Sequence, residues 1–281
     1  MPITPKIGTY PNVPFEEYIK WEAASNTILG IIDNKSPAHA KSFMDNPPEP
    51  SEAFVFGKAL HKFNLEVMSF DETCVVAPDV DKRTKNGKVK WQEFLDKNND
   101  KLVMTQEQYE KCKSMAEAIE NHSNAKKFIW GGSPEICIVW LDTKTGVLCK
   151  ARLDYVHNEG VIADLKSTRD ASLSYFARAI YNYGYHRQAA FYSDGWYALT
   201  KDMPEFVFVP VEKEEPFGVA TYLAGEDVIT AGRQSYERAL KIYAECLQSG
   251  DWPGYSNEIE MIHLPTWALM REGISEYEIK L

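Results

Sequence analysis

Asp154 and the triplet Asp164-Leu165-Lys166 stand on adjacent predicted strands and have the types and spacing of a metal-dependent centre that cleaves phosphodiesters. Val147 to Val156 and Val161 to Lys166 are rich in aliphatic residues, and His157-Asn158-Glu159-Gly160 between them suits a hairpin turn. Side chains alternate faces along a strand, so Asp164 and Lys166 project from one face and Leu165 points the other way, into the core. The hairpin brings Asp154 beside them. Two carboxylates a few ångströms apart repel unless a cation sits between them, and hard oxygen donors suit Mg²⁺ or Mn²⁺. In this reading the carboxylates hold metal, the metal acidifies its water and neutralises phosphate, and Lys166 orients or deprotonates that water. On the motif alone, turn-flanking surface acids and an exposed strand lysine explain the same residues equally well.

The surrounding pattern supplies elements to position these groups. Ser133-Pro134-Glu135 opens an apolar run, Ile136 to Leu141, that ends at the turn signal Asp142 to Gly146, so Glu135 starts the first strand of a three-stranded meander over 135–166. Upstream, Phe56, Leu60, Phe63 and Val67 recur at helical spacing and place His61 beside the apolar stripe. A histidine there is more often a packed boundary residue than a ligand. A helix is predicted from Gln106 to Ile119 behind Thr105, and helical segments follow the meander to about Leu199. Strands are predicted at Glu205 to Val211 and Gly218 to Leu223, then a last helix from about Asp227 to Gln248, stopped by Gly250. Residues 1–50 mix short helical stretches and end in the rigid break Pro47-Pro48-Glu49-Pro50.

With 281 residues, 44% of them hydrophobic and 26% charged, the chain suits one large α/β domain over 1–281. It divides into an N-terminal helical extension (1–50), a core (51–250) and a tail (251–281). Five scattered cysteines, odd in number and without a C-x-x-C pair, suggest neither a disulfide frame nor a zinc or iron–sulfur site. No run is long enough to span a membrane, and Met-Pro-Ile-Thr-Pro-Lys lacks a signal-peptide stretch, so a cytoplasmic protein with no membrane partner is expected. The net charge of −10 opposes contact with nucleic acid. Carboxylates loaded with a divalent metal become electropositive, however, and a total does not describe a distribution. Lys82 to Lys90 carries five positive charges in nine residues (Lys82, Arg83, Lys85, Lys88 and Lys90) before Trp91. It reads equally as a mobile loop lying against DNA or as a solvated one. Trp252, Tyr255, Pro265 and Trp267 in the tail either pack back on the domain or line a subunit interface.

Taken in order, Gly57-x-x-x-His61, Glu135, Asp154, Asp164-Leu165-Lys166 and Tyr185-His186-Arg187-Gln188-Ala189-Ala190-Phe191-Tyr192 resemble the PD-(D/E)xK nuclease superfamily. More narrowly they resemble its exodeoxyribonuclease VIII branch, the RecE-like recombination exonucleases of bacteria and prophages. Phe15-Glu16-Glu17-Tyr18, Ser25-Asn26-Thr27 and Lys35-Ser36-Pro37-Ala38-His39 resemble that branch's N-terminal region. The resemblance implies an α/β core, a central mixed β-sheet with an antiparallel meander flanked by α-helices, plus helical N-terminal additions. It implies His61, Asp154, Asp164 and the main-chain carbonyl of Leu165 as metal ligands and Lys166 as the catalytic lysine. Glu135 would be the acid that completes a second metal position or holds a water, giving two Mg²⁺ or Mn²⁺ ions per site during catalysis. Gln188 and Tyr192 would support the lysine or contact DNA, with Tyr185 on the same helical face. For Tyr185 and Tyr192 core packing is an equal reading.

Leu153 stands where the superfamily has proline, which removes no catalytic group. The family's basic residue for a DNA 5′ phosphate stays open among Lys150, Arg152, Arg169 and Arg178. The implied activity is an Mg²⁺-dependent exodeoxyribonuclease that degrades linear double-stranded DNA from 5′ ends. It would leave 3′ single strands for a single-strand annealing recombinase and would work as a homo-oligomeric ring. The alternatives are an endonuclease or single-strand nuclease of the superfamily, or a non-catalytic scaffold that binds DNA ends. The scaffold leaves the intact set His61, Glu135, Asp154, Asp164 and Lys166 unexplained.

Overall fold

The computed structural model describes residues 3–48, 52–65, 73–99, 101–130 and 132–273. Val67 of the predicted apolar stripe, Glu49 and Pro50 of the rigid break, and residues 274–281 of the tail lie outside them. The elements run β1 (Gly8–Tyr10), α1 (Phe15–Tyr18), α2 (Asn26–Asn34), α3 (Pro37–Asp45), α4 (Glu52–Leu65), β2 (Cys74–Val76), α5 (Lys85–Lys97) and β3 (Leu102–Met104). They continue with α6 (Gln106–Asn121), α7 (Ser123–Ile129), β4 (Gly132–Leu141), β5 (Leu148–His157), β6 (Val161–Thr168), α8 (Leu173–Asn182) and α9 (Tyr185–Thr200). β7 (Glu205–Glu212), β8 (Tyr222–Leu223), α10 (Glu226–Ser249) and α11 (Thr266–Arg271) complete the order.

A six-stranded sheet in the order β1-β4-β5-β6-β7-β8 forms the middle layer. β4, β5 and β6 make the predicted antiparallel meander, whereas β6 and β7 run parallel because α8 and α9 carry the chain back across the sheet. The sheet is therefore mixed, as expected. On one face Ile138, Leu153, Ile162, Phe206 and Phe208 pack with α2, α9 and α10. On the other, Tyr155, Val161, Ala163, Leu165, Val207 and Val209 pack with Phe56 and Leu60 of α4 and with Met115 and Ile119 of α6. Strand alternation sends apolar residues of β6 and β7 to both faces, which is why these strands read as continuous hydrophobic runs.

Four details depart from the sequence reading. The N-terminal region is not only helical: β1 pairs antiparallel with β4, and Trp21 packs on Cys137 and Val139. β2 and β3 form a small parallel pair that the short runs around them did not announce. β8 is only two residues long, joined upstream by the single bridge Val211–Val219. The basic stretch is helical from Lys85 on, with Lys82 to Thr84 in the turn before it. Thr84 Oγ1 accepts the Gly87 N–H at 3.0 Å and caps α5, and Gly87 is needed because a Cβ there would sit 1.9 Å from the Asp81 carbonyl oxygen. The glycine that suggested a loop is where the first helical turn packs against the chain before it.

α9 is held in place by α10, which crosses it at Gly232, where a Cβ would lie 1.9 Å from the His186 carbonyl oxygen. Gly232→Ala must push the two helices apart. We expect a loss of at least about 2 kcal/mol of stability in urea denaturation, in the range of overpacked cores.

Candidate active site

Asp154 lies on β5 and Asp164 on β6. The β5–β6 ladder runs through His157–Val161, Val156–Ile162 and Tyr155–Ala163 and then stops. One more step in that register would set Asp154 opposite Asp164, two carboxylates face to face, and the strands part there instead. The Asp154 carboxylate fills the gap, its Oδ2 accepting the Leu165 N–H at 2.9 Å. The Leu165 carbonyl, on the same edge of β6, faces His61 of α4, whose Nε2–H donates to it at 3.1 Å. That contact assigns the donor nitrogen, since a carbonyl only accepts. His61 Nδ1 then faces Asp154 Oδ1 at 3.6 Å and Glu135 Oε1 at 3.8 Å.

β5 and β4 are both irregular at this level. The core faces of β5 change over between Leu153, which packs towards α9, and Tyr155, which packs towards α4. Glu135, at the level of Asp154 between the pairs Pro134–Tyr155 and Ile136–Leu153, has φ of 54°, an uncommon left-handed conformation for a glutamate. The local turn sends its carboxylate towards His61. Its other oxygen forms an ion pair with Arg152 Nε, and Arg152 Nη1 donates to the Val13 carbonyl at 2.9 Å. The Phe15 ring lies 5.7 Å from the same guanidinium.

On the other side, Asp164 is 1% exposed. Gln188 Nε2 of α9 donates to its Oδ1 at 2.7 Å, and the Lys166 ammonium lies 2.5 Å from its Oδ2. Oδ2 makes no well-directed hydrogen bond although it is buried, so the lysine neutralises it by charge rather than by directed bonding. Lys166 also sits 4.9 Å above the Tyr185 ring. Tyr192, one turn beyond Gln188, is packed against the core and within hydrogen-bond reach of Gln188. All three α9 residues therefore meet the acids or support what does.

The electrostatics follow from burial. Desolvation, with Asp164 and Glu135 close by, raises the Asp154 pKa to about 6 against the pull of His61 and Lys166. Burial lowers that of His61, but Asp154 and Glu135 outweigh it and bring the imidazole to about 9. Burial raises that of Glu135, while His61 and Arg152 drive it down to about 2. Lys166 is pushed up: burial opposes its charge, and Asp164 and Asp154 more than restore it.

Among the described residues no three His, Cys, Asp or Glu side chains are drawn tightly enough to hold a metal as they stand. His61, Lys166 and Arg152 face the acids with positive charge. The donor set nevertheless fits a hard divalent cation: carboxylate oxygens, one main-chain carbonyl, one imidazole and the unsatisfied Oδ2 of Asp164 converge on the gap between two strands.

The open choice among basic residues narrows. Lys150 is buried and donates to the carbonyls of Tyr18 at 2.9 Å and Trp21 at 2.7 Å, with burial lowering its pKa to about 8. It holds the N-terminal segment to the sheet and does not face solvent. Arg152, expected as a possible DNA contact, is committed to Glu135 and Val13. Arg169 and Arg178 are exposed and make no side-chain hydrogen bond or ion pair among the described residues. In the turn before α5, Lys82 lies 3.2 Å from the Trp91 ring centre and Arg83 pairs with Asp81 at 3.1 Å, whereas Lys85, Lys88 and Lys90 on α5 are exposed. The Arg152–Glu135 pair was not anticipated, and no spacing rule links positions 17 residues apart.

A three-layer α/β fold whose acids and lysine meet where two meander strands part is the fold of the PD-(D/E)xK nucleases. The model of one family in that group, the PDDEXK-like domain of unknown function (DUF3799), matches residues 31–265, and the chain belongs to this family. The crystal structure of a "Putative exonuclease" from Eubacterium rectale superposes with a TM-score of 0.65 at 12% identity, over 92% of this chain and 98% of its own. At that identity the likeness concerns the fold. The structure of SSO0001 aligns with 66% of this chain and 84% of its own at 12% identity, but its TM-score of 0.29 is too low to bear on the fold. No curated protein matches by sequence.

If Arg152 holds Glu135 and the N-terminal segment, Arg152→Ala lowers stability by about 2 kcal/mol, the scale of a hydrogen bond to a charged group. It also speeds amide exchange over Val13–Tyr18. Weaker DNA binding with stability and exchange unchanged would instead make Arg152 a DNA contact.

Proposed function

We propose that the protein is a metal-dependent exodeoxyribonuclease of the RecE-like, exodeoxyribonuclease VIII type. The observation that carries this reading is the convergence of His61, Asp154, Asp164, the Leu165 carbonyl and Lys166 on one gap in the sheet of a PDDEXK-like domain. A scaffold that only bound DNA would have no reason to bury three carboxylates and a lysine together. The fold shared with the Eubacterium rectale protein named for exonuclease activity agrees with it.

In this reading Asp154, Asp164, the Leu165 carbonyl and His61 hold a divalent cation, Mg²⁺ or Mn²⁺, and Glu135 serves a second position. Such a cation supplies Lewis acidity at the phosphate and a water of low pKa. Gln188 fixes Asp164 through the oxygen that Lys166 does not approach, so one acid is held from two sides. Lys166 is the only lysine at the gap among the described residues, and its ammonium orients the attacking water and meets negative charge growing on the phosphate. The Tyr185 ring, 4.9 Å from the ammonium, restricts that lysine.

Digestion of linear duplex DNA from 5′ ends, a 3′ single strand handed to an annealing recombinase, and a homo-oligomeric ring follow the resemblance to the exodeoxyribonuclease VIII branch. A cytoplasmic DNA substrate belongs to the same reading; no described helix is long and apolar enough to cross a membrane. The exposed Arg169 and Arg178 are the candidates for the 5′ phosphate, and the exposed lysines of α5 for the DNA backbone.

Two tests apply. With Mg²⁺, wild type should release nucleotides from linear duplex labelled at a 5′ end and spare closed circles. Chelator should stop release, and Lys166→Ala should slow it at least about a thousandfold, as for removal of a group that stabilises transition-state charge. Cutting of circles would indicate an endonuclease, and full activity in Lys166→Ala would remove the lysine from the mechanism. Replacing Lys85 and Lys88 together with Gln should lower the slope of log affinity against log salt by about two, one for each phosphate no longer neutralised. An unchanged slope would leave α5 a solvated helix.

A further inference from the structure

The corner between α8 and α9 reads Tyr181-Asn182-Tyr183-Gly184-Tyr185, and its rings lead outward from the catalytic lysine. Tyr185 touches Lys166 at 4.9 Å and is backed by Phe176 at 6.1 Å and Phe208 at 6.4 Å, so its ring is fixed from the core. The Tyr183 ring lies 5.6 Å from Tyr185, tilted by 34°, and is 66% exposed. Gly184 at φ of 70° makes the sharp bend that leaves Tyr183 outside while Tyr185 turns in. The Tyr183 hydroxyl makes no hydrogen bond among the described residues, so neither its polar end nor its outer face is used by the fold.

An isolated exposed aromatic ring is ordinary on a protein surface. This one is a single ring removed from the group that would meet the scissile phosphate. The exposed Arg178 lies on α8, one helical turn before the corner begins at Tyr181. A flat, solvent-facing ring one ring away from the lysine of a phosphate site matches what single-stranded nucleic acid offers: a base face next to backbone charge.

Building on the nuclease reading, we propose that Tyr183 is a base-stacking residue that holds an unpaired nucleobase of the strand being cut, next to the scissile phosphate. The substrate segment engaged at the site is then single-stranded, and a duplex end must fray before it is hydrolysed. Tyr183 acts as a positioning residue through its ring face, not its hydroxyl.

The test uses the full chain in chelator, which prevents cleavage, and a single-stranded oligonucleotide carrying 2-aminopurine near its 5′ end. Wild type should bind and quench the fluorescent base. Tyr183→Ala should weaken binding about tenfold, as for removal of one stacked base, and abolish the quenching. Tyr183→Trp should restore both. Tyr197→Ala, an exposed tyrosine at the far end of α9, should leave both within twofold, and circular dichroism should show every variant folded. Binding and quenching unchanged in Tyr183→Ala, or no quenching by wild type, would overturn the stacking role even where wild type cuts end-labelled DNA. Quenching that depends on the Tyr183 ring supports it even where the chain cuts no DNA, which would count against the nuclease reading alone.

Discussion

The structure depends on how three carboxylates are kept charged while largely withdrawn from water. An ionised group buried without partners costs several kcal/mol or more, so each must be matched by a donor or a cation at the same depth. Asp154 and Asp164 come from neighbouring strands whose pairing would press them together. The fold breaks the ladder at that step and gives Asp154 the N–H of Leu165 in place of a strand partner. β6 can lose that neighbour because β7 pairs with it along its whole length on the other side.

The rest of the architecture supplies the missing partners from different directions. α4, on one face of the sheet, brings His61 to the freed Leu165 carbonyl, and α9, on the other, brings Gln188 to Asp164 and Tyr185 to Lys166. The N-terminal segment passes along the edge at β4 and accepts from Arg152 and Lys150, tying the outer strands to residues far away in sequence. This accounts for the unusual backbone at Glu135, whose side chain must reach both His61 and Arg152. A regular β4 would point it along the ordinary alternation.

The outward-facing features fall into two kinds. The exposed lysines of α5 and the exposed Arg169 and Arg178 offer charge locally on a chain whose total is −10. The tail offers apolar surface. Trp252 packs on Tyr243 at 5.7 Å, whereas Tyr255 and Trp267 are exposed, as are Ile259 and Ile262 between them.

Much was legible in the sequence because it is local. The meander follows from apolar runs separated by turn residues, α6 from Thr105 ahead of its first turn, and the end of α10 from Gly250, which takes the left-handed conformation. Period-2 alternation placed Asp164 with Lys166, and helical spacing placed Tyr185, Gln188 and Tyr192 together. Tertiary structure alone decided what joins residues far apart: that the strands part between the two aspartates, that His61 leaves the stripe of α4 to meet the Leu165 carbonyl, and that Arg152 and Lys150 serve the fold from within. Periodicity describes the face a side chain occupies. Whether that face meets water, a carboxylate or a carbonyl depends on another segment of chain, and a buried charge is settled only when that segment arrives.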